Sequence, residues 1–330
     1  MASLSLARYY KNEKNLEETD KYMKIVFSDP KISASLKFNI LLNYVEESTK
    51  SEVLKSQTLE LIHIMQEQHP NNVKSFVIAG DYFVLHKQYE EARNSFLSAF
   101  DLDKNSFPIL SQLLAIDLQT KNNQHLLFDS KNGLEVFPTQ PIFYLYNGIA
   151  LRQDKKHIKS AEILEAGKEL VIDDADLLVD FYQNIGEAYH EAKEHKKADE
   201  AFEKALSINP DLPFLLNNYS YYLSVRKENL KRAAEMAQKA NDLYANQASF
   251  EDTYGWILFQ QGVYKEAKVW LEKALNNGGN ESGVILEHYG DILYKLNDTY
   301  GAVSYWKKAK LKDGYSDLLD KKIEDEKYYE

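Results

Sequence analysis

The sequence repeats a pattern of small residues at a fixed spacing. In four segments, a glycine is followed by one alanine 12 residues later and by a second alanine 7 residues after that. The four sets are Gly80–Ala92–Ala99, Gly186–Ala198–Ala205, Gly255–Ala267–Ala274 and Gly290–Ala302–Ala309. Gly255 and Gly290 are 35 residues apart, and Gly186 lies 69 residues before Gly255, which is two such periods. This periodicity indicates short structural units stacked in order along the chain.

Each unit has the pattern of a hairpin of two helices. The glycine marks the point where the second helix crosses the first closely, and the two alanines lie two turns apart on one face of the second helix. Large residues near these positions fill the remaining space. They are Phe83, Tyr189, Leu258 and Leu293 on the first helices, and Phe96, Phe202, Leu271 and Trp306 on the second helices. Asn209-Pro210 ends one unit, because proline cannot continue a helix.

The pattern resembles the tetratricopeptide repeat (TPR) family, whose unit is about 34 residues long. Matching segments carry the resemblance, such as Gly80-Asp-Tyr-Phe followed by Gln88-Tyr-Glu-Glu-Ala, and Gly255-Trp-Ile-Leu followed by Val263-Tyr-Lys-Glu-Ala. The resemblance covers nearly the whole chain. It implies an all-α fold, a right-handed α–α superhelix (solenoid) of about nine TPR-like hairpins with a C-terminal capping helix.

The repeats divide the chain into four predicted segments. Residues 1–72 form degenerate N-terminal hairpins, and residues 73–178 form three central repeats, of which the first matches well and the next two are degenerate. Residues 179–316 hold the C-terminal repeats. Residues 317–330 form the capping helix, with Ser316 as its N-cap and Leu318, Leu319 and Ile323 on one apolar face. A repeat begins almost at residue 1 without a polar cap, which leaves open a natural protein longer than this chain.

Composition excludes several classes of protein. The chain has no cysteine, and its 51 acidic and 40 basic side chains give a net charge of −11. A disulfide framework, a thiolate nucleophile and a cysteine-ligated metal are therefore excluded, and a net acidic chain is poorly suited to nucleic acid. The longest uncharged stretch, residues 136–151, contains two prolines and is too short to cross a bilayer. We therefore expect neither a nucleic-acid partner nor direct membrane insertion of this segment.

No active site, cofactor site or metal site is expected. His190 and His195 form the most suggestive pair, but they are five residues apart, whereas a zinc-protease helix requires a spacing of four. They are predicted to be solvated histidines on either side of a hairpin turn. The acidic run at residues 173–176 lacks the glycine and distal glutamate of a calcium loop, and no nucleophile elbow is present. A non-enzymatic protein without a cofactor is expected.

The family resemblance points to the first helix of each unit, because these helices line a concave groove in TPR proteins and bind extended peptides or helices there. Spacings of three and four residues from each central small residue select the side chains that face this groove in the C-terminal half. They are Asp180, Gln183, Glu187, His190, Asn217, Tyr221, Asp252, Trp256, Phe259, Glu287, Asp291 and Tyr294. In the middle of the chain, the equivalent residues Ala115, Leu118, Leu145 and Ile149 would form an apolar floor.

The predicted groove is acidic and carries aromatic side chains. Aromatic residues are common interface anchors and carboxylates select basic partners, although aromatic residues at helical spacing more often serve packing alone. We therefore expect a protein or peptide partner that is basic or aromatic rather than acidic, which argues against binding of acidic chaperone tails. The leading hypothesis is a protein-interaction scaffold. The alternative is a self-assembling structural spacer with no groove ligand.

The segments beginning at Asn217, Asp252 and Leu286 resemble those of bacterial TPR proteins. Several such proteins are envelope-associated, as lipoproteins or periplasmic scaffolds that assist assembly or secretion. The resemblance implies a periplasmic or outer-membrane-associated location if a signal has been removed, and a cytoplasmic location otherwise.

Overall fold

The computed structural model describes residues 2–329, and residues 1 and 330, the outer ends of two predicted segments, lie outside the described residues. The described residues form nineteen α-helices and one short 3-10 turn. The first eighteen helices pair into nine consecutive hairpins, and α19 follows the last of them. The predicted all-helical fold of about nine hairpins is confirmed.

The chain divides into two compact units, residues 1–172 and residues 173–330. Five hairpins form the first unit, and each hairpin buries its apolar faces against the hairpins next to it in the sequence. Their helices are α1 (Ala2–Asn12), α2 (Leu16–Ser28), α3 (Ala34–Glu47), α4 (Glu52–Gln68), α5 (Val73–Leu85), α6 (Tyr89–Leu102), α7 (Phe107–Gln119), α8 (Asn123–Val136), α9 (Pro141–Gln153) and α10 (His157–Lys168).

Four hairpins and α19 form the second unit, which has its own buried clusters. Its helices are α11 (Ala175–Glu191), α12 (His195–Ile208), α13 (Pro213–Arg226), α14 (Leu230–Leu243), α15 (Ala248–Gln260), α16 (Tyr264–Asn276), α17 (Gly283–Lys295), α18 (Thr299–Ala309) and α19 (Leu319–Glu324). Asp174 caps α11 by accepting a hydrogen bond from the backbone of Leu177 at 2.9 Å, so this helix begins ahead of residue 179. Helix α19 occupies six residues of the predicted capping segment, and the predicted N-cap is wrong: Leu318 precedes the helix, and the Ser316 hydroxyl instead donates to Glu287.

A glycine on the first helix contacts a large side chain sixteen residues later on the second helix. A Cβ added to Gly186 would lie 2.4 Å from the ring of Phe202, and one added to Gly80 would lie 2.6 Å from Phe96. The same contact recurs in three further pairs, Gly148–Leu164, Gly255–Leu271 and Gly290–Trp306. The alanines of the sequence pattern are fully buried. The predicted close helix crossing is therefore present in these hairpins.

The turn inside eight of the nine described hairpins places at least one residue in the left-handed backbone region. Gly262 (φ 79°) and Asn297 (φ 66°) hold this position in the last two hairpins, and both residue types tolerate it. Lysine holds it in the other six, at positions 14, 87, 121, 155, 193 and 227, and the turn that contains Lys227 has a second left-handed residue, Asn229. Lysine has no intrinsic preference for this conformation, so the packing of the two helices imposes it.

Replacing Gly186 with alanine should lower the free energy of unfolding by about 1 kcal/mol. The overlap of the new Cβ with Phe202 costs roughly 1–3 kcal/mol, which exceeds the gain of up to about 1 kcal/mol in helix propensity. Urea denaturation followed by far-UV circular dichroism measures this change. Glu200 is exposed on α12, and Glu200→Ala should shift the free energy by less than about 0.5 kcal/mol. Wild-type stability of Gly186→Ala would show that the ring can move aside.

Candidate functional site

A cleft of about 350 Å³ opens along the first helices of the second unit, and we call it the α13–α17 cleft. Helices α13, α15 and α17 form one side of it. The C-terminal segment, defined here as residues 316–329, forms the other side. Four of the residues selected from the sequence line this cleft, namely Tyr221, Trp256, Glu287 and Asp291.

Lys322 of α19 supplies a buried cation to the cleft. Its ammonium donates hydrogen bonds to Glu287 Oε1 at 2.7 Å and to Asp291 Oδ1 and Oδ2 at 2.9 and 2.7 Å. The backbone N–H of Ser316 donates to Glu287 Oε2 at 2.7 Å, and the Ser316 hydroxyl donates to Oε1 at 2.6 Å. The indole N–H of Trp306 donates to Asp291 at 2.9 Å. Two of the predicted groove acids are therefore buried and paired within the chain.

A third predicted acid, Asp252, is also buried and pairs with a histidine. Its carboxylate lies 2.9 Å from Nδ1 of His288, which comes from the next first helix, α17. Trp256 stacks on the same imidazole, with ring centroids 3.9 Å apart. Asp252 therefore holds α15 against α17 through His288.

Burial and neighbouring charges shift the pKa values of these groups. Burial raises the pKa of Asp291 to about 6, although Lys322 acts in the opposite direction. Burial alone would raise the pKa of Glu287, but the hydrogen bonds from Lys322 and Ser316 outweigh it and lower that pKa. Burial alone would lower the pKa of His288, yet its pKa is raised, chiefly by Asp252. The Lys322 ammonium thus offsets part of the buried negative charge, and Asp252 favours the protonated form of His288.

The aromatic residues selected from the sequence form a cluster that the C-terminal segment covers. Trp256 stacks on Phe259 with centroids 4.7 Å apart. The ring of Tyr328 lies edge-on to Phe259 at 5.7 Å and 6.5 Å from Tyr294. Lys295 places its ammonium 4.4 Å from the centroid of the Tyr328 ring. Phe259 is buried, whereas Tyr294 and Trp256 keep partial exposure.

The predicted residues of α11 lie apart from this cluster and are more open. Asp180 is exposed, and Gln183, Glu187 and His190 are half-buried. Although Asp180 is exposed overall, neighbouring atoms partly shield its carboxylate from water and raise its pKa, and the negative charges of two neighbouring aspartates, 176 and 174, raise that pKa further. These residues form an accessible acidic strip on the first helix of the unit.

His190 differs from the expected solvated histidine because a neighbouring aromatic ring covers it. Tyr222 of α13 stacks on its imidazole with centroids 3.6 Å apart, and burial lowers the pKa of His190. The Tyr222 hydroxyl also donates to Glu187 at 3.4 Å. Asn217 is 7% exposed and donates to Asn218 at 3.3 Å. The two contacts of Tyr222 connect α11 to α13, and Tyr221 lines the cleft.

Comparison with known proteins agrees with this architecture. A tetratricopeptide repeat family model matches residues 179–212. The tetratricopeptide repeat protein from Parabacteroides merdae superposes with a TM-score of 0.58 and 13% identity, over 76% of this chain and 97% of that one. The APC/C hetero-tetramer Cut9–Hcn1 gives a TM-score of 0.54 and 12% identity, over 96% of this chain and 67% of the other. The chain contains a tetratricopeptide repeat and has the helical-hairpin fold of tetratricopeptide-repeat structures.

Curated relatives of this TPR chain have diverse names. It is 28% identical over 140 residues to the type IV pilus assembly protein PilF of Pseudomonas aeruginosa, which covers 42% of this chain and 54% of PilF. It is 22% identical over 243 residues to the human protein O-mannosyl-transferase TMTC3, covering 70% of this chain and 26% of TMTC3. The Sol locus transcriptional repressor of Clostridium acetobutylicum is 30% identical over 158 residues, 43% of this chain and 45% of the repressor. The chain thus spans from about a quarter to just over half of these relatives.

Two further properties concern metals and membranes. Within the described part of this TPR chain, no group of three or more His, Cys, Asp or Glu side chains is placed to hold a metal ion. None of the helices between residues 2 and 329 combines the length and apolar character needed to cross a bilayer.

The first unit of the TPR chain contains a charged cluster that the sequence pattern did not reveal. Arg93 of α6 donates through Nε to Asp117 of α7 at 3.0 Å and through Nη2 to Asp129 of α8. All three residues are buried. One guanidinium therefore serves two carboxylates, and Asp117 Oδ2 and Asp129 Oδ1 have no hydrogen-bond partner among the described residues. Burial raises the pKa of Asp117 to about 7, against the effect of Arg93, and Asp129 raises it further.

Stability of the TPR chain should decrease as pH rises through neutrality, because Asp117 keeps its proton to higher pH when folded than when unfolded. A carboxyl with a raised folded-state pKa contributes stability that is fully present below its unfolded pKa and lost as pH rises through the folded value. Asp117→Asn keeps the oxygen that accepts from Arg93 but cannot ionise. When the pH is raised from 5 to 8, the free energy of unfolding of Asp117→Asn should therefore increase by roughly 1–3 kcal/mol relative to that of the wild type.

Urea unfolding at both pH values measures the difference. Asp101→Asn is the matched control, since Asp101 is 73% exposed at its side chain and lies in the same unit. Parallel pH profiles of wild type and Asp117→Asn would contradict a protonated Asp117 in the folded chain.

Proposed function

We propose that this chain is a scaffold that binds a protein segment along the first helices of its C-terminal repeats and catalyses no reaction itself. The observation that carries the proposal is the accessible strip on α11 and α13. Asp180 and Gln183 lie on α11, and Tyr221 and the 57% exposed Val225 lie on α13. Acidic, aromatic and apolar side chains thus lie on neighbouring first helices, where the TPR family binds peptides.

The charge of this strip supports a basic partner. Three aspartates lie close together at the start of α11, and their mutual repulsion contributes to the raised pKa of Asp180. A lysine or arginine placed there would relieve this repulsion, whereas an acidic segment would increase it. Tyr221 and Val225 offer the apolar contacts that interface anchors need. A basic segment with an aromatic or apolar residue therefore suits the strip.

Assembly at the bacterial cell envelope is the cellular role that we propose for the scaffold. The likeness to PilF, whose name states type IV pilus assembly, supports this role over 42% of the chain. A periplasmic or lipoprotein location belongs to the same proposal. TMTC3 is a mannosyl-transferase by name, but the alignment covers 26% of it, so this likeness does not carry the activity to the present chain.

Site-specific crosslinking in cells of the source organism tests the binding surface. A photo-reactive amino acid at position 183 or 225 should yield a partner adduct, and the same group at the exposed position 200 on the second helix α12 should not. Asp180→Lys should reduce the adducts about tenfold or more, because it places a positive charge against a basic partner.

Glu200→Lys changes the net charge of the chain equally and serves as the control. Equal adducts at all three positions, or adducts insensitive to Asp180→Lys, would count against groove binding. An adduct made of two copies of this chain would instead favour the self-assembling spacer.

A further inference from the structure

The C-terminal segment contacts its own repeats in the manner of a docked peptide. Nine of its fourteen residues are exposed, and it is held mainly by four anchors. Leu319 and Lys322 are buried, and Ile323 and Tyr328 pack partly buried against the core of the last hairpins. The first three follow the i, i+3, i+4 spacing with which a helix presents anchors to a groove.

The anchors meet the residues that the sequence pattern selected for partner binding. Lys322 pairs with Glu287 and Asp291, and Tyr328 contacts Phe259 and Tyr294. The basic and aromatic chemistry expected of an external partner is thus supplied here from within the chain. The ammonium of Lys322 also lies 5.3 Å from the centroid of the Tyr328 ring, so the two anchors form one cation–aromatic unit.

We infer that the C-terminal segment is an intramolecular stand-in for the partner, and that the α13–α17 cleft binds a protein segment carrying a lysine or arginine followed about six residues later by an aromatic ring. This inference rests on the proposed scaffold function and specifies its partner. Binding requires displacement of residues 316–329, because both occupants use the same acids and aromatic rings.

Charge complementarity supports a cationic occupant in particular. Glu287 and Asp291 are 4% and 1% exposed, and two buried carboxylates require a cation close by. When the C-terminal segment leaves, water and the incoming lysine or arginine compete to satisfy these acids. An acidic or neutral segment cannot replace Lys322, so the cleft discriminates between partners by charge.

A peptide copy of the C-terminal segment can serve as a probe that tests this inference on the full chain. A fluorescently labelled peptide of residues 314–330 is titrated into the full chain and followed by anisotropy. The wild-type chain should bind it weakly, because the covalently attached segment occupies the cleft at a high effective concentration. Lys322→Ala removes the cation from the attached segment, so this chain should bind the probe about tenfold or more tightly than the wild type does. A probe carrying the Lys322→Ala substitution should lose that gain.

Lys321→Ala is the matched control, because Lys321 is an exposed neighbour whose ammonium lies over the ring of Tyr329 in the same segment. It should bind the probe like the wild type. Hydrogen exchange of residues 316–329 should accelerate about tenfold or more in Lys322→Ala and not in Lys321→Ala. Wild-type exchange rates in Lys322→Ala would show that the segment is a fixed part of the fold and would overturn the inference. The inference would also be overturned if the wild type, Lys322→Ala and Lys321→Ala bound the probe equally, or if Lys322→Ala did not bind it.

A second variant keeps the test valid if Lys322→Ala unfolds the last hairpin. A protease site placed at Gly314, which lies in an exposed turn, allows the segment to be cut without changing any anchor. The cut segment should leave the cleft on dilution, and added probe should rebind. Retention of the cut segment at all dilutions would overturn the inference, and dimers that exchange segments would assign the cleft to a second copy.

The outcomes of the two tests are independent. Val225 also lines the α13–α17 cleft, so crosslinking from position 183 is the measurement that reports the strip independently of the cleft, whereas the probe reports the acids of α17. Failure of the probe together with partner adducts on the strip would remove the inference and leave the scaffold function standing. If the probe does not bind and no partner adduct forms on the strip, the proposed function is removed as well.

Discussion

In each of five hairpins, a glycine on the first helix receives a large side chain from the second, sixteen residues later. The contact sets the distance between the two helices and commits one face of the first helix to packing. In the last hairpin the large residue is Trp306, which packs on Gly290 and also donates its indole N–H to Asp291. The residue that closes the hairpin therefore also satisfies one oxygen of a carboxylate in the α13–α17 cleft, which lowers the cost of burying that charge.

Both units contain buried carboxylates that need a cation close by, and each unit supplies this cation from a different kind of element. In the second unit, Lys322 reaches Glu287 and Asp291 from a separate segment of the chain. In the first unit, Arg93 on a repeat helix serves two aspartates. A buried ion pair adds little stability compared with an apolar replacement. If the cleft binds a partner as we propose, the consequence of the ion pair is specificity, because buried carboxylates favour an occupant that brings a cation.

The sequence contained enough information for the hairpins but not for their charged contacts. Gly80, Gly186, Gly255 and Gly290 give the register because the crossing depends on residues at a fixed separation within one unit. Lys322 and Asp291 are 31 residues apart, and no periodic pattern relates them. One local indication was available: Lys322 follows Leu319 by three residues and precedes Ile323, so it falls on an apolar helix face. Nothing in the sequence indicated that six lysines adopt the left-handed conformation in the hairpin turns, because lysine is not among the residues that favour turns.

Exposure separates acids that the sequence pattern treated as one set. Asp180 is open to solvent, whereas Asp252, Glu287 and Asp291 are buried and have partners in the chain. We therefore expect a partner that approaches the second unit to interact first with the exposed negative charge of α11, and with the acids of α17 only after the C-terminal segment moves. Substitution of Asp252 disturbs the contact between α15 and α17 before it disturbs binding. We therefore expect substitution of Asp180, rather than of the buried acids, to change recognition while leaving the packing of the repeats intact.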